Sequence, residues 1–310
     1  MLPSWAATPT RDAIVSFVEA VTGDGPEHVS EAERIAVFDN DGTLWTEKPM
    51  PTQLHFIVGK WREQATADPT LADRQPYLAA TSGDVAWLAD ALDKHYAGDD
   101  TDLRLMVRAI VGISAERTVD DYASEISEFF RVEEHPVLRR PYAETVYQPM
   151  VELLQYLEQN GFTTYIVSAG DRDFMRPMTA DAYGVPPERV IGSAIGLVYT
   201  EDETGGDVRY AASFSFLADG PEKPIRIWSR IGRRPILAAG NANGDLPMLR
   251  FVQRHPRSLS LLIHHDDDTG RGDTPYDKGA EKIVEAASSG GFVTVSIKHD
   301  WTQVFPGPAG

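Results

Sequence analysis

The sequence contains no cysteine among its 310 residues. This absence excludes disulfide bonds, zinc–thiolate sites and cysteine nucleophiles. Long apolar runs are also missing, since none approaches the roughly 20 residues that a membrane-spanning helix needs. Residues 1–21 lack the basic and apolar regions of a secretion signal. We therefore expect a cytoplasmic protein that does not act at a membrane.

Positive charge is scarce, because 29 Lys and Arg residues face 47 Asp and Glu residues and give a formal net charge of −18. A surface of this sign repels nucleic acid and anionic membranes, and it does not steer a phosphate ester toward the protein. An anionic substrate must then be bound by local cations and backbone amides. We expect no nucleic-acid partner, and nothing in the sequence indicates an oligomeric state.

The order of apolar patterns predicts an α/β fold with an insertion. The run Ile35–Phe38 predicts a short buried strand, and the next 80 or so residues, from about 50 to 135, show only helical spacing. Further strands are predicted at residues 163–170, 191–199, 208–216, 234–240, 259–265 and 292–297. Strands that alternate with helices indicate a parallel sheet. We expect a core of residues 1–46 and 142–310, interrupted by an all-helical domain at residues 47–141.

Polar residues follow three of these predicted strands at the point where each strand ends. They are Asp39-Asn40-Asp41, Ser168-Ala169-Gly170, and Gly240-Asn241 with Asp245 shortly after. Lys223 precedes the helix that leads to the third of these strands. Open parallel sheets bind their ligands beyond the carboxyl ends of the strands, so we expect these residues to form one site.

The segments FDNDGTLW, IVSAG, PEKP and GNANGD resemble, in this order, the four motifs of the haloacid dehalogenase-like (HAD) phosphohydrolases. The similarity is greatest to the phosphoserine phosphatase-like branch. It implies a Rossmann-like α/β core with a helical cap inserted between the first and second motifs. It also implies Mg²⁺-dependent hydrolysis of a phosphomonoester, here a small phosphorylated metabolite, through an aspartyl-phosphate.

The resemblance assigns roles to the motif residues. Asp39 is the expected nucleophile, and Asp41 is the acid that protonates the leaving oxygen and later activates water. The expected phosphate-binding residues are Ser168, Ala169, Gly170 and Lys223. The expected Mg²⁺ ligands are Asp39, Asp41, Asn241 and Asp245.

Asn241 departs from the commoner pattern of the family, which has Asp at that position. An amide oxygen can bind Mg²⁺ but contributes no charge. Glu47 and Arg172 are further candidates for substrate contacts. His264 and His265 indicate either a turn at a strand end or, as the weaker alternative, a transition-metal site.

Other functions remain open at this stage. A phosphotransferase or mutase would use the same residues, and a non-catalytic small-molecule-binding protein would fit the presence of Asn241. A dehalogenase on the same fold needs neither a metal nor the acid at Asp41, so the DxD sequence argues against it. The sequence does not identify the phosphorylated substrate.

Overall fold

The computed structural model describes residues 2–96, 99 and 101–307. Its strands are β1 (Ile35–Phe38), β2 (Thr163–Asp171), β3 (Val190–Asp202), β4 (Gly205–Phe216), β5 (Leu237–Gly240), β6 (Leu259–His264) and β7 (Val293–Ser296). They form one sheet in the order β4-β3-β2-β1-β5-β6-β7. Neighbouring strands are parallel except β3 and β4, which form an antiparallel hairpin. The predicted α/β fold with a parallel sheet is confirmed.

The helices before the second strand are α1 (Pro9–Thr22), α2 (Thr52–Ala67), α3 (Tyr77–Ser82), α4 (Val85–Tyr96), α5 (Thr101–Ser114), α6 (Val119–Val132) and α7 (Gln148–Gln159). Those after it are α8 (Arg172–Tyr183), α9 (Glu222–Ile231), α10 (Leu246–Gln253), α11 (Glu281–Ser288) and α12 (Ile297–Asp300). The last strand ends one residue earlier than predicted, because the Ser296 side chain accepts a hydrogen bond from the His299 amide and begins α12. Across the described ranges, no helix has both the length and the apolar character needed to span a membrane.

The chain divides into two compact units. The first comprises Met1–Pro49, Ser127–Ser193 and Leu217–Gly310, and the second comprises Met50–Ile126 and Ala194–Phe216. The second unit therefore contains strand residues as well as helices, and it differs in extent from the all-helical domain predicted at 47–141. The boundaries of a functional cap stay a prediction.

Aromatic side chains join the helices and the hairpin residues of the second unit. The Tyr122 ring lies 6.4 Å from the Phe56 ring and 5.1 Å from the Tyr210 ring, in edge-to-face geometry. The Glu116 amide donates to the Tyr210 carbonyl, which ties the end of α5 to β4. These contacts explain why residues 194–216 pack with helices that lie far from them in the sequence.

In the first unit, β1 lies at the centre of the sheet and its four residues are all buried. Val37 pairs with Tyr165 of β2 and with Ala238 of β5, so the strand is hydrogen-bonded on both sides. A continuous apolar run is typical of a parallel strand that is covered on both faces. This register brings the carboxyl ends of β1, β2 and β5 side by side.

Candidate active site

The carboxyl ends of these strands bring Asp39, Lys223 and Asp245 into direct contact. The Lys223 Nζ atom donates to Asp39 Oδ1 at 2.6 Å, to Asp245 Oδ1 at 2.5 Å and to the Val167 carbonyl at 3.1 Å. All three charged side chains are buried. Asp39 follows β1 directly, and its amide donates to the Ala239 carbonyl of β5 at 2.9 Å. The first and fourth motifs thus share one centre.

Two carboxylates and one ammonium group face each other in this centre with little solvent. Burial raises the pKa of Asp39 well above its usual value, the negative charge of Asp245 adds to the effect, and Lys223 opposes it. Burial disfavours the charged form of Lys223, but Asp245 and Asp39 outweigh it and raise the pKa of Lys223. The ammonium group is therefore charged, and it offsets part of the negative charge on its two partners.

Asp41 has a different environment on the same loop. Its Oδ1 atom accepts a hydrogen bond from the Trp45 indole Nε1 at 2.9 Å. Burial raises the pKa of Asp41 to about 6, while the Trp45 hydrogen bond opposes this rise and the charge of Glu47 adds to it. A carboxyl group with a pKa near neutrality can both give and take a proton at working pH, which is what a general acid and base requires.

Asn241 lies in a polar cluster beside this loop. Its Oδ1 atom accepts from Thr43 Oγ1 at 3.0 Å, and its Nδ2 atom donates to Tyr276 OH at 3.0 Å and to Glu47 Oε1 at 3.3 Å. The Tyr276 hydroxyl also donates to Glu47. An aspartate at position 241 would place a second carboxylate against Glu47, whereas the amide donates to it. The geometry thus gives a reason for the amide at this position.

Gly42 follows Asp41 and adopts a φ of 75°, in the left-handed region that glycine favours. A Cβ atom at this position would collide with the Asn241 side chain. The glycine therefore serves both the turn of the loop and the close approach of the fourth motif.

The oxygen donors of the predicted metal ligands fit Mg²⁺ in type, since this ion prefers carboxylate and carbonyl oxygens. Asp245 uses both of its oxygens in hydrogen bonds, with Oδ1 bound to Lys223 and Oδ2 accepting from the amides of Asn241 and Ala242, each at 2.9 Å. Over the part of the chain that the structure describes, no three His, Cys, Asp or Glu side chains are grouped to hold a metal ion. The Lys223 Nζ atom lies between the carboxylates of Asp39 and Asp245.

The second motif continues from the Val167 carbonyl that Lys223 contacts. Ser168 is buried, and its Oγ atom accepts from the Gly170 amide at 3.0 Å. The Ala169 carbonyl accepts from Ser193 Oγ at 2.6 Å. Arg172 begins α8, and its Nε and Nη2 atoms each donate to a different oxygen of Asp173, at 3.0 Å. The guanidinium of Arg172 is thus paired with a neighbouring carboxylate.

The two adjacent histidines differ in their surroundings. His264 ends β6, and its side chain is 30% exposed with Nε2 3.4 Å from Asp277 Oδ1. His265 is buried, and its Nε2 lies 2.7 Å from the Gly42 carbonyl oxygen. This contact could not be predicted from local sequence, because the two residues are 223 positions apart. The hydrogen bond from the Trp45 indole to Asp41 and the position of Tyr276 beside Asn241 were also not predicted from the sequence.

Comparison with known proteins identifies the family of this chain. The haloacid dehalogenase-like hydrolase family matches residues 36–250 of the chain. The chain belongs to this family. The resemblance of its four motifs to the haloacid dehalogenase-like family is thereby confirmed, and the protein is a HAD hydrolase. A search of curated proteins found no significant match.

Solved structures agree on the fold of this HAD hydrolase. A conserved functionally unknown protein from Anaerococcus prevotii DSM 20548 is 16% identical, with 92% of this chain and 90% of that chain covered and a TM-score of 0.56. A protein with unknown function from Bordetella pertussis Tohama I is 17% identical, with 85% and 98% covered and a TM-score of 0.54. At these identities the likeness supports the fold alone.

Proposed function

We propose that this HAD hydrolase is a Mg²⁺-dependent phosphatase that hydrolyses a small phosphorylated metabolite through an aspartyl-phosphate. One observation carries the proposal: a single loop holds two aspartates in contrasting environments. Asp39 lies against the Lys223 ammonium group, at 2.6 Å, whereas Asp41 has a pKa of about 6 and a hydrogen bond to Trp45. Such a division suits a nucleophile and a separate proton donor.

In the first step, an Asp39 carboxylate oxygen attacks phosphorus and the bond from phosphorus to the ester oxygen breaks. Asp41 gives its proton to the leaving oxygen. In the second step, Asp41 takes a proton from a water molecule, whose oxygen attacks phosphorus and releases Asp39 and inorganic phosphate. Both steps move negative charge through a buried site, where the Lys223 ammonium group stabilises it.

The phosphoryl oxygens would be bound by the backbone and side chains of the second motif, Ser168, Ala169 and Gly170, together with Lys223. Mg²⁺ would be held by Asp39, Asp41, Asn241 and Asp245, and when bound it supplies Lewis-acid stabilisation of charge on the phosphoryl oxygens. Glu47 would border the substrate, since it lies beside Asn241. Nothing in this proposal requires a nucleic-acid or membrane partner.

A colorimetric assay with p-nitrophenyl phosphate tests the proposal. We expect hydrolysis that requires Mg²⁺, stops with EDTA and is lost in Asp39→Asn, with a phosphorylated Asp39 detectable by mass spectrometry after acid quenching of the wild type. Asp12→Asn is the matched control, because Asp12 is exposed on α1 and distant in sequence from every motif. Activity that persists in Asp39→Asn would exclude this mechanism. A panel of phosphorylated metabolites would then identify the substrate.

A further inference from the structure

His265 holds the loop that carries Asp41. Its Nε2 atom lies 2.7 Å from the carbonyl oxygen of Gly42, the residue that follows Asp41. The His265 side chain is only 2% exposed, so water does not compete for this contact. The His265 ring also stacks on the Tyr276 ring, with centroids 4.4 Å apart and an interplanar angle of 22°. The imidazole is therefore fixed in both position and orientation.

The other ring nitrogen of His265 faces a buried carboxylate. His265 Nδ1 lies 2.9 Å from Asp273 Oδ2, and the Asp273 side chain is also 2% exposed. The Tyr147 hydroxyl donates to Asp273 Oδ1 at 2.9 Å. Tyr147, Asp273 and His265 thus form a continuous hydrogen-bonded chain that ends at Gly42, and we call it the Tyr–Asp–His chain.

The chemistry of these groups fixes the direction of the hydrogen bond to Gly42. A carbonyl oxygen such as that of Gly42 can only accept, so Nε2 of His265 must be the donor. On the opposite side of the ring, Nδ1 and Asp273 Oδ2 share a hydrogen bond at 2.9 Å. This second bond orients the imidazole so that Nε2 points at the Gly42 carbonyl.

The Tyr–Asp–His chain also contacts the same loop through a backbone hydrogen bond. The amide of Tyr147 donates to the Leu44 carbonyl at 2.8 Å, two residues beyond the carbonyl that His265 holds. The loop that begins at Asp41 is therefore held at Gly42 and at Leu44 by the same connected set of residues. Gly42 has no Cβ to restrict its dihedral angles, so these bonds add to the loop's own backbone hydrogen bonds, such as that from the Gly42 amide to the Trp45 carbonyl, in holding its conformation.

We propose that His265, oriented by Asp273 and Tyr147, is a positioning residue for Asp41 and acts by fixing the Gly42 carbonyl. The inference rests on the proposed function, because it assigns Asp41 as the proton donor. Without the His265 bond, Gly42 can rotate and Asp41 moves away from the leaving oxygen. Loss of the His265 bond should therefore slow the chemical step and leave substrate binding largely unchanged.

Steady-state kinetics with p-nitrophenyl phosphate and Mg²⁺ test this role in three variants. In His265→Leu we expect kcat to fall on the order of 100-fold with little change in KM, as for a small displacement of a catalytic group. His265→Gln should recover part of kcat, since its amide can still donate to Gly42. The matched control is His264→Leu, which alters the neighbouring, more exposed histidine and should leave kcat unchanged. A folded His265→Leu with the kcat of the wild type would overturn the proposal.

Two measurements on the wild type keep the proposal testable if His265→Leu does not fold. The ¹⁵N spectrum of the histidine rings should show a proton on Nε2 of His265, and an unprotonated Nε2 would overturn the proposal. Hydrogen exchange of residues 42–46 should be slow in the wild type and increase about tenfold or more in His265→Asn, whose shorter side chain has no donor at the position of Nε2. If the wild type does not hydrolyse the aryl phosphate, the proposed function fails, while these two readouts still decide whether His265 fixes the loop.

Discussion

Asn241 shows how one residue changes the electrostatics of the site. Its amide donates to Glu47 and Tyr276 and leaves the centre with one carboxylate fewer than the commoner motif provides. In the proposed Mg²⁺ site, the negative charge would then come from Asp39, Asp41 and Asp245. The Asn241 amide donates to Glu47, so a substitution of either residue changes the electrostatic environment of the other.

We expect Asn241→Asp alone to give little gain in Mg²⁺ affinity, because the new carboxylate faces Glu47 and the like charges favour protonation of one of them. Asn241→Asp combined with Glu47→Gln should bind Mg²⁺ about tenfold more tightly than the wild type, because the added charge is then unopposed. Titration calorimetry with Mg²⁺ in the absence of substrate measures both. Tighter binding in the single variant than in the double variant would contradict this account.

Asp173 illustrates a residue whose charge stabilises the fold. It is buried, yet Arg172 and Arg176 outweigh the effect of burial and lower the pKa of Asp173. A lowered folded-state pKa means that this stabilisation is present above the unfolded value of about 3.9 and is lost as the pH falls through the folded value.

Asp173→Asn should therefore reduce the free energy of unfolding by about 2 kcal/mol at pH 7, as is usual for hydrogen bonds to a charged group. The difference from the wild type should shrink as the pH falls below about 4. Urea unfolding at a series of pH values measures this, with Asp12→Asn as an exposed control. A difference that is the same at pH 7 and pH 3 would show that the charge of Asp173 is not the cause.

At the scale of elements, two glycines have opposite effects on the stability of the helices that contain or precede them. Gly184 ends α8 with a φ of 74° and donates its amide to the Ala180 carbonyl at 3.0 Å. Gly59 lies inside α2, and a Cβ at that position would meet no atom within 4 Å. The first glycine stabilises its helix end, whereas the second weakens the helix that contains it.

Gly184→Ala should lower the free energy of unfolding by about 1–2 kcal/mol, because an L-residue is strained in the left-handed region. Gly59→Ala should raise it by about 0.5–1 kcal/mol, because alanine favours the helix interior. Urea unfolding followed by circular dichroism measures both variants. Changes of the same sign in the two variants would refute the assignment of these helix positions.

At the scale of the whole molecule, the net charge of −18 opposes the approach of an anionic substrate. Between low ionic strength and 0.15 M KCl, where the Debye length is about 8 Å, we expect kcat/KM for an aryl phosphate to rise about threefold or more at constant Mg²⁺. An aryl phosphate that carries an ammonium group is the control, since its smaller net charge should weaken the dependence. A decrease of kcat/KM with salt would indicate local attraction that outweighs the global charge.

Much of the fold and part of the site could be predicted from local sequence. The four residues before Asp39 are apolar because β1 is covered on both faces. Such a pattern spans only a few residues, so it can be recognised in the sequence. The grouping of residues 194–216 with residues 50–126 could not be predicted, since it depends on packing between residues that are distant in the sequence, such as Phe56, Tyr122 and Tyr210.

The sequence by itself determined the α/β class, the order of the motifs and the family, because each of these depends on short periodic patterns or on residues close together in the chain. Only the tertiary structure decided that Lys223 lies between Asp39 and Asp245, that Asn241 donates to Glu47, and that His265 contacts Gly42. Three of these contacts join residues 184 to 223 positions apart, whereas the Lys223–Asp245 contact spans 22. Their geometry follows from the strand register of the folded sheet, which no local pattern encodes.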